Sequence, residues 1–148
     1  MTSVQRHATT LWDGDLTHGA GRVNGASGAL AELPVTYKSR IGRPDGRTSP
    51  EELIAAAHSS CFSMALANLL SQEGHPPQHL EVSATITLDD SSGAPTITSS
   101  ALEVSGRVQG IDTAAFRDAA KRAGAGCPVS RALAAVDITV DATLSQQD

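Results

Sequence analysis

The chain has 148 residues, a length that fits one hydrophobic core, so we expect a single domain over residues 1–148. Its formal net charge of −5 at pH 7 argues against a nucleic-acid partner, because phosphates require clustered lysine and arginine. The sequence has no long uninterrupted apolar run and no N-terminal signal pattern, so we expect a soluble, cytoplasmic protein without a membrane partner.

The first third of the chain predicts strands and turns. Three extended segments alternate with turns, at residues 6–12, 21–24 and 29–37. The first of them ends at Asp13-Gly14, a dipeptide typical of hairpin turns. Residues 41–47 are rich in glycine, proline and charged side chains, which predicts a polar loop.

A long apolar helix follows this loop. Ser49 is a good N-cap, Pro50 suits the first helical position, and Glu52 completes a capping-box pattern with Ser49. The apolar residues continue to Leu70, and Gly74 ends the pattern. Because they lie on nearly every side, we expect this helix to be buried, packed against the same helix of a second subunit. Aromatic residues make up only 3% of the chain, so the core buries little apolar area per residue. Burial of further apolar surface against a second subunit would stabilise such a core, which also favours a homodimer.

The second half of the chain alternates strand and helix patterns. The predicted elements are strands at 80–88, 96–108 and 136–142, a helix at 112–123 and a short helix that begins at Pro128. Residues 145–148 predict a frayed tail. The whole pattern predicts an α+β fold, in which an antiparallel sheet wraps around a long buried central helix.

The chain contains two cysteines, and each has two interpretations. Cys61 lies among small residues of the apolar helix, where it is either an inert core residue or a thiol with room for a substrate. Cys127 precedes Pro128 at a helix start, where it is either a cap residue chosen for its size or a thiol whose thiolate the unpaired backbone N–H groups favour. In a reducing cytoplasm such a pair is more often catalytic than a structural disulfide. These residues favour a thiol-dependent redox enzyme.

Activation of the Cys61 thiol requires a group from another part of the chain. Cys61 lies far inside its own helix, so a nearby cation must stabilise its thiolate. The candidates are Arg40, Arg43 and Arg47, which could equally belong to a solvated loop. His58 shares the helical face of Cys61 and is either a base or a hydrogen-bonded core histidine.

The sequence contains no pattern for a cofactor or a metal. It has no Cys-x-x-Cys and no His-x-x-x-His pair, so the usual zinc spacing is missing. It has neither a glycine-rich phosphate loop between a strand and a helix nor a Gly-x-Ser-x-Gly elbow. We therefore expect a protein without a metal or a cofactor.

Two segments resemble the signatures of the osmotically inducible protein C (OsmC) family. They are residues 48–66, around Cys61, and residues 127–130, around Cys127. The branch known for organic hydroperoxide resistance has an arginine where this chain has Gly19, so the resemblance is to the OsmC branch. It implies an intertwined homodimer with two active sites at the subunit interface. It also implies a thiol peroxidase (hydroperoxide reductase) that reduces organic hydroperoxides, and hydrogen peroxide less well, in oxidative or osmotic stress.

The same resemblance implies a role for each site residue. Cys61 is the peroxidatic nucleophile, Cys127 is the resolving thiol, and the two form a disulfide. Glu51 is the acidic partner of a catalytic arginine, which Arg40 matches best, with Arg43 and Arg47 as alternatives. The implied reductant is a lipoylated protein or another small dithiol.

Helix geometry adds a condition to these roles. Glu51 and Cys61 are ten residues apart, so they are separated by about 15 Å along the helix axis. If Arg40 contacts both side chains, they must come from different subunits. Two other functions stay open: a non-catalytic dimeric stress or binding protein with inert cysteines, and a thiol-dependent hydrolase that uses Cys61 and His58.

Overall fold

The structure is a computed structural model that describes residues 2–145. The predicted frayed tail therefore lies, apart from Ser145, outside the described residues. The chain divides into two compact units, and the division falls between Leu53 and Ile54, inside the long helix. Each unit contains a three-stranded sheet. A single domain over residues 1–148 stays a prediction.

The N-terminal unit contains a sheet in the order β1-β2-β3, with both pairings antiparallel. Its strands are β1 (Ala8–Asp13), β2 (Ala20–Gly25) and β3 (Leu33–Val35). Gly21 pairs with Trp12 on one side and Val35 on the other. A Cβ at Gly21 would lie 2.8 Å from the Trp12 ring and 3.0 Å from the Val35 side chain. The missing side chain therefore lets the indole lie against β2.

A short helix that the sequence patterns do not predict follows β3. This helix, α1 (Tyr37–Ile41), begins in the segment expected to be extended and reaches the expected loop. Thr36 and Ser39 form a reciprocal capping box at its start: each hydroxyl accepts a hydrogen bond from the backbone N–H of the other residue, at 3.1 Å. The cap stabilises a single helical turn, and that turn carries Arg40.

The long helix, α2 (Pro50–Gln72), begins where the sequence predicts. The Ser49 hydroxyl accepts from the Glu52 N–H at 3.1 Å, which is one half of the predicted capping box. The Glu52 carboxylate departs from that pattern and accepts from the Thr48 hydroxyl at 2.8 Å. At the other end, Gly74 adopts a left-handed φ of 86°, and its N–H donates to the Ser71 carbonyl. This is a common helix ending, because glycine has no Cβ to hinder that conformation.

The C-terminal unit contains a mixed sheet in the order β4-β5-β6. Its elements are β4 (Pro77–Asp89), β5 (Thr96–Val108), α3 (Thr113–Gly126), α4 (Pro128–Ala132) and β6 (Asp137–Leu144). The α+β prediction is confirmed, and β4 and β5 form the expected antiparallel hairpin. The pairing of β6 with β5 corrects the expectation of a purely antiparallel sheet, because it is parallel. The reason is the crossover through α3 and α4, which returns the chain to the end of the sheet where β5 began.

The core of the C-terminal unit lies between α2, α3 and the sheet. Four fully buried residues of α2, each four positions after the last, form the stripe His58, Phe62, Leu66 and Leu70. The three apolar residues of this stripe form one hydrophobic cluster with buried residues of β5 and α3, and α3 contributes Phe116 and three alanines. This core consists mainly of leucine, valine and alanine, together with the only two phenylalanines of the chain, Phe62 and Phe116, which are both fully buried.

The remaining faces of α2 are not buried within one chain. Ala56, Ala57 and Ser60 are exposed, and Met64 is 68% exposed. By length and apolar composition alone α2 could cross a membrane, and 22% of its most apolar window is buried in the chain. The long core helices of soluble proteins have the same composition. Complete burial of α2 therefore requires a partner surface, and the predicted homodimer stays a prediction.

Candidate active site

The C-terminal unit brings the two cysteines together. Cys61 is in the middle of α2, half-buried, and Cys127 is the N-cap residue of α4, fully buried. Both are free thiols, and each acts directly on the other through a hydrogen bond. The two positions are far apart in the sequence, and the packing of α4 onto α2 makes them neighbours.

The surroundings of the two thiols move their pKa values in opposite directions. Burial and the hydrogen bond with Cys127 raise the pKa of the Cys61 thiol. Burial alone would raise the pKa of Cys127 as well, but the backbone N–H of Ser130 and the side chains of Cys61 and Ser130 lower it below its usual value. The prediction that the start of a helix favours the Cys127 thiolate is confirmed.

A backbone N–H group at the start of α4 also affects the pKa of Cys61. The backbone N–H of Val129 lowers the pKa of both thiols, although for Cys61 burial has the larger, opposite effect. Cys61 lies too far inside α2 to feel the dipole of its own helix, but it lies against the start of another one. The sequence alone could not reveal this arrangement, because it depends on tertiary packing.

His58 is a hydrogen-bonded core histidine. Its ring is fully buried, with Nδ1 2.6 Å from the Ser100 hydroxyl and Nε2 2.8 Å from the Ser130 hydroxyl. Burial lowers the pKa of His58, so the ring is neutral at pH 7. Both nitrogens are engaged by serines, which leaves neither free to act as a base on Cys61. Of the two predicted interpretations, a base or a hydrogen-bonded core histidine, the core histidine is confirmed.

In the N-terminal unit, Arg40 and Glu51 form a two-point ion pair. Arg40 Nη2 and Nε lie 2.7 and 3.0 Å from Glu51 Oε1, and Nε also lies 3.2 Å from Oε2. The Glu51 side chain is 11% exposed and that of Arg40 is 35% exposed. This geometry fixes the plane of the guanidinium. The predicted pairing of Arg40 with Glu51 is present, whereas Arg43 and Arg47 line a separate polar cavity.

An apolar cavity of about 360 Å³ opens beside this ion pair. Arg40 is part of its wall, and the other lining residues come from the sheet, the loop between β1 and β2, α1 with its N-cap, and the first turn of α2. They include Trp12, Leu16, Val23, Val35, Tyr37 and Leu53. Sequence patterns miss this cavity because its lining residues are scattered over three strands and two helices. The site therefore offers an apolar surface next to an oriented positive charge.

Comparison with known proteins identifies the family. The family model described as OsmC-like protein matches residues 43–141, which include Glu51 and both cysteines. Peroxiredoxin OsmC of Escherichia coli is 39% identical over 139 residues, covering 94% of this chain and 96% of that protein. An organic hydroperoxide resistance protein from Elizabethkingia anophelis has a similar structure, with a TM-score of 0.71, 26% identity and 99% coverage of each chain.

A more distant relative shows the fold alone. The OsmC-like protein of Mycoplasma pneumoniae superposes with a TM-score of 0.74 at 10% identity, covering 98% of this chain and all of that one. The resemblance in the two cysteine segments is thus confirmed over nearly the whole sequence. The chain belongs to the OsmC-like family.

Proposed function

We propose that this protein is a thiol peroxidase that reduces organic hydroperoxides, and hydrogen peroxide less well. The observation that carries the proposal is that the two free thiols at the two motif positions are neighbours, each of which shifts the pKa of the other. A peroxidase-type function is supported by the Escherichia coli relative, which is a peroxiredoxin. The preference for organic peroxides and the steps below are our inferences.

The proposed reaction divides between the two cysteines. The Cys61 thiolate attacks the distal oxygen of the peroxide, the O–O bond breaks, and the alkoxide takes up a proton to leave as an alcohol. Cys61 is then a sulfenic acid. The Cys127 thiolate attacks its sulfur, an S–S bond forms, and the released hydroxide becomes water. A dithiol reduces the disulfide, returns both thiols and is itself oxidised to a disulfide.

Burial supports this assignment of roles. Cys127 is fully buried, so a peroxide reaches Cys61 first. The surroundings raise the pKa of Cys61, so attack at neutral pH requires an additional positive charge. We assign that role to Arg40, whose guanidinium the Glu51 carboxylate orients. The hydrolase hypothesis loses support, since His58 has both nitrogens occupied.

We propose that each active site is shared between two subunits. Glu51 and Cys61 are both on α2, about 15 Å apart along its axis. An Arg40 that is held on Glu51 and stabilises a Cys61 thiolate therefore serves the Cys61 of the other subunit. The exposed apolar residues of α2, such as Met64, supply a surface for that dimer.

The apolar cavity supports a preference for organic peroxides. Its walls carry alkyl and aromatic side chains, which favour the organic group of a hydroperoxide over a second hydroxyl. Arg40 in the cavity wall would orient the peroxide oxygen atoms. The proposed reductant is a lipoylated protein or a similar small dithiol, and we place the enzyme in the cytoplasm.

Steady-state turnover tests the proposal. The purified protein receives cumene hydroperoxide or hydrogen peroxide, with dihydrolipoamide as the electron donor. We expect a higher kcat/KM for the organic peroxide and no turnover after alkylation of the thiols. If both thiols stay free after incubation with either peroxide, the protein is the non-catalytic stress or binding protein that the sequence also allows.

A further inference from the structure

A buried chain of polar side chains lies beside Cys127 and has no role in the reaction steps above. Ser100 of β5, His58 of α2 and Ser130 of α4 are joined by hydrogen bonds of 2.6 and 2.8 Å through the two nitrogens of the imidazole. His58 and Ser100 are fully buried, and Ser130 is 5% exposed. Polar groups in such a core cost stability unless every one is paired, so a chain that unites three elements points to a specific task.

The chain ends at the sulfur of Cys127. Ser130 is three residues after Cys127, one helical turn away in α4, and its hydroxyl acts on the thiol. This contact lowers the pKa of Cys127, as a donor to the thiolate should. The order of groups is therefore Ser100, His58, Ser130 and then Cys127.

The protonation state of Cys127 sets the direction of every hydrogen bond in this chain. Neutral imidazole has one N–H donor and one acceptor nitrogen. Beside a thiolate, Ser130 donates to sulfur and accepts from Nε2–H, while Nδ1 accepts from the Ser100 hydroxyl. Beside a thiol, the S–H donates to Ser130, Ser130 donates to Nε2, and Nδ1–H donates to Ser100. In both states the Cys127 sulfur, the Ser130 hydroxyl and the two ring nitrogens of His58 are paired.

We propose that Ser100, His58 and Ser130 form a relay that positions a hydrogen-bond donor on the Cys127 thiolate, and that His58 changes tautomer when Cys127 takes up a proton. Ionisation releases the thiol proton to solvent and leaves one proton on each relay residue. Ser130 lines an open cavity of about 400 Å³, which gives water a route to the relay. Ser130 and His58 are thus positioning residues.

This relay rests on the proposed role of Cys127 as the resolving thiol. The Cys127 thiolate attacks the sulfur of the Cys61 sulfenic acid, the S–S bond forms and the S–O bond breaks. When a dithiol later attacks the disulfide at Cys61, Cys127 leaves as a thiolate, and the Ser130 hydroxyl donates to it again. The relay would therefore assist both formation and opening of the disulfide.

Other groups near Cys127 could also shift its pKa, so a test must distinguish their effects from the effect of the relay. Cys61 of α2 acts directly on the Cys127 thiol, and the backbone N–H groups of Ser130 and Val129 act from α4. Lys121 of α3 lines the same open cavity as Ser130. A test must keep the backbone groups in place, remove the Cys61 titration and include Lys121 as a control.

The first test is a thiolate titration in the Cys61→Ser background, where Cys127 is the only cysteine. Thiolate absorbance near 240 nm follows its ionisation. Adding Ser130→Ala should raise the apparent pKa of Cys127 by about one pH unit. Ser130→Thr keeps a hydroxyl and should leave the midpoint near that of the background, as should Lys121→Met. An unchanged midpoint in Ser130→Ala, or an equal rise in Lys121→Met, overturns the relay.

The second test uses ¹⁵N NMR of the His58 ring in the Cys61→Ser protein. The imidazole proton should move from Nδ1 to Nε2 over the same pH range in which Cys127 ionises. A purely structural histidine keeps one tautomer throughout, and that result would refute the proposal even if Ser130→Ala fails to fold. Neither test uses a peroxide, so a relay without turnover would reject only the proposed function.

Discussion

Two chemically identical thiols lie in unequal surroundings in this protein. Cys61 is half-buried with a raised pKa, whereas Cys127 is fully buried with a lowered pKa. A peroxide can approach the first, and the second is prepared to attack or to leave as a thiolate. The residue that needs outside activation is therefore the one that solvent can reach.

Replacement of each cysteine separates these roles. Cys61→Ser should abolish peroxidase turnover, because the attacking sulfur is lost. Cys127→Ser should still consume one equivalent of organic hydroperoxide, because the second thiol is needed only for resolution. Rapid-quench peroxide consumption measures both. If Cys127→Ser blocked the first oxidation while Cys61→Ser did not, the two roles would have to be exchanged.

The burial of His58 should make the stability of the protein depend on pH. Burial lowers its pKa below the ordinary value of 6.5, so under acid conditions the unfolded chain binds a proton that the folded chain does not. Stability should therefore fall as the pH drops below 6.5, with a limiting slope from this residue of about 1.4 kcal/mol per pH unit. Urea unfolding at pH 7.5 and pH 5 should show a smaller acid loss in His58→Gln than in the wild type. An equal loss in both proteins contradicts the neutral buried state.

At the scale of elements, α2 has two unlike faces. One carries the buried stripe that includes Phe62 and Leu66, and the other exposes Met64. The first holds the C-terminal unit together, and we assign the second to the dimer. The same helix thereby supports both the core and the proposed subunit contact, which explains why its apolar residues lie on nearly every side.

A pair of substitutions on α2 distinguishes these faces. Leu66→Ala should lower the free energy of unfolding by about 2–5 kcal/mol, because it leaves a cavity in the core. Met64→Lys should change the stability of the subunit itself little but shift sedimentation towards a monomer, because a charge enters the proposed interface. If the wild type is already a monomer at micromolar concentration, the dimer and its shared sites are wrong.

The elements differ in how well the sequence predicts them. The strand patterns at residues 80–88 and 96–108 and the Ser49 N-cap of α2 are local signals, and these predictions are confirmed. The five residues of α1 are too short for a periodic pattern, and only the capping pair Thr36 and Ser39 marks them. The parallel pairing of β6 depends on the path of α3 and α4, which no local pattern contains.

The candidate site shows the same limit. Motifs single out Cys61 and Cys127, but their contact depends on how α4 packs on α2. The partners of His58 lie 42 and 72 residues away in the sequence, in other elements. Only the fold could identify Ser100 and Ser130 as its neighbours. The sequence separation of Arg40 and Glu51 likewise does not predict that their side chains form a two-point ion pair.

At the scale of the whole molecule, each proposed active site requires two subunits. Mixing Glu51→Ala and Cys61→Ser subunits, each inactive as a homodimer, tests this directly. A mixed dimer would have one site with both lesions and one with neither, so peroxidase activity should return. Activity that stays absent after confirmed subunit exchange would mean that Glu51 acts within its own chain or has no role.

A disulfide between Cys61 and Cys127 separates the proposed peroxidase from a protein with two inert thiols, and mass spectrometry before and after digestion detects it. One equivalent of cumene hydroperoxide is added to the reduced protein, and the product is then digested without reductant. We predict the loss of two hydrogens per chain and a peptide pair linked through Cys61 and Cys127. Two thiols that remain alkylatable, or a Cys61 sulfenic acid that never forms a bond with Cys127, would rule out the proposed pair of peroxidatic and resolving thiols.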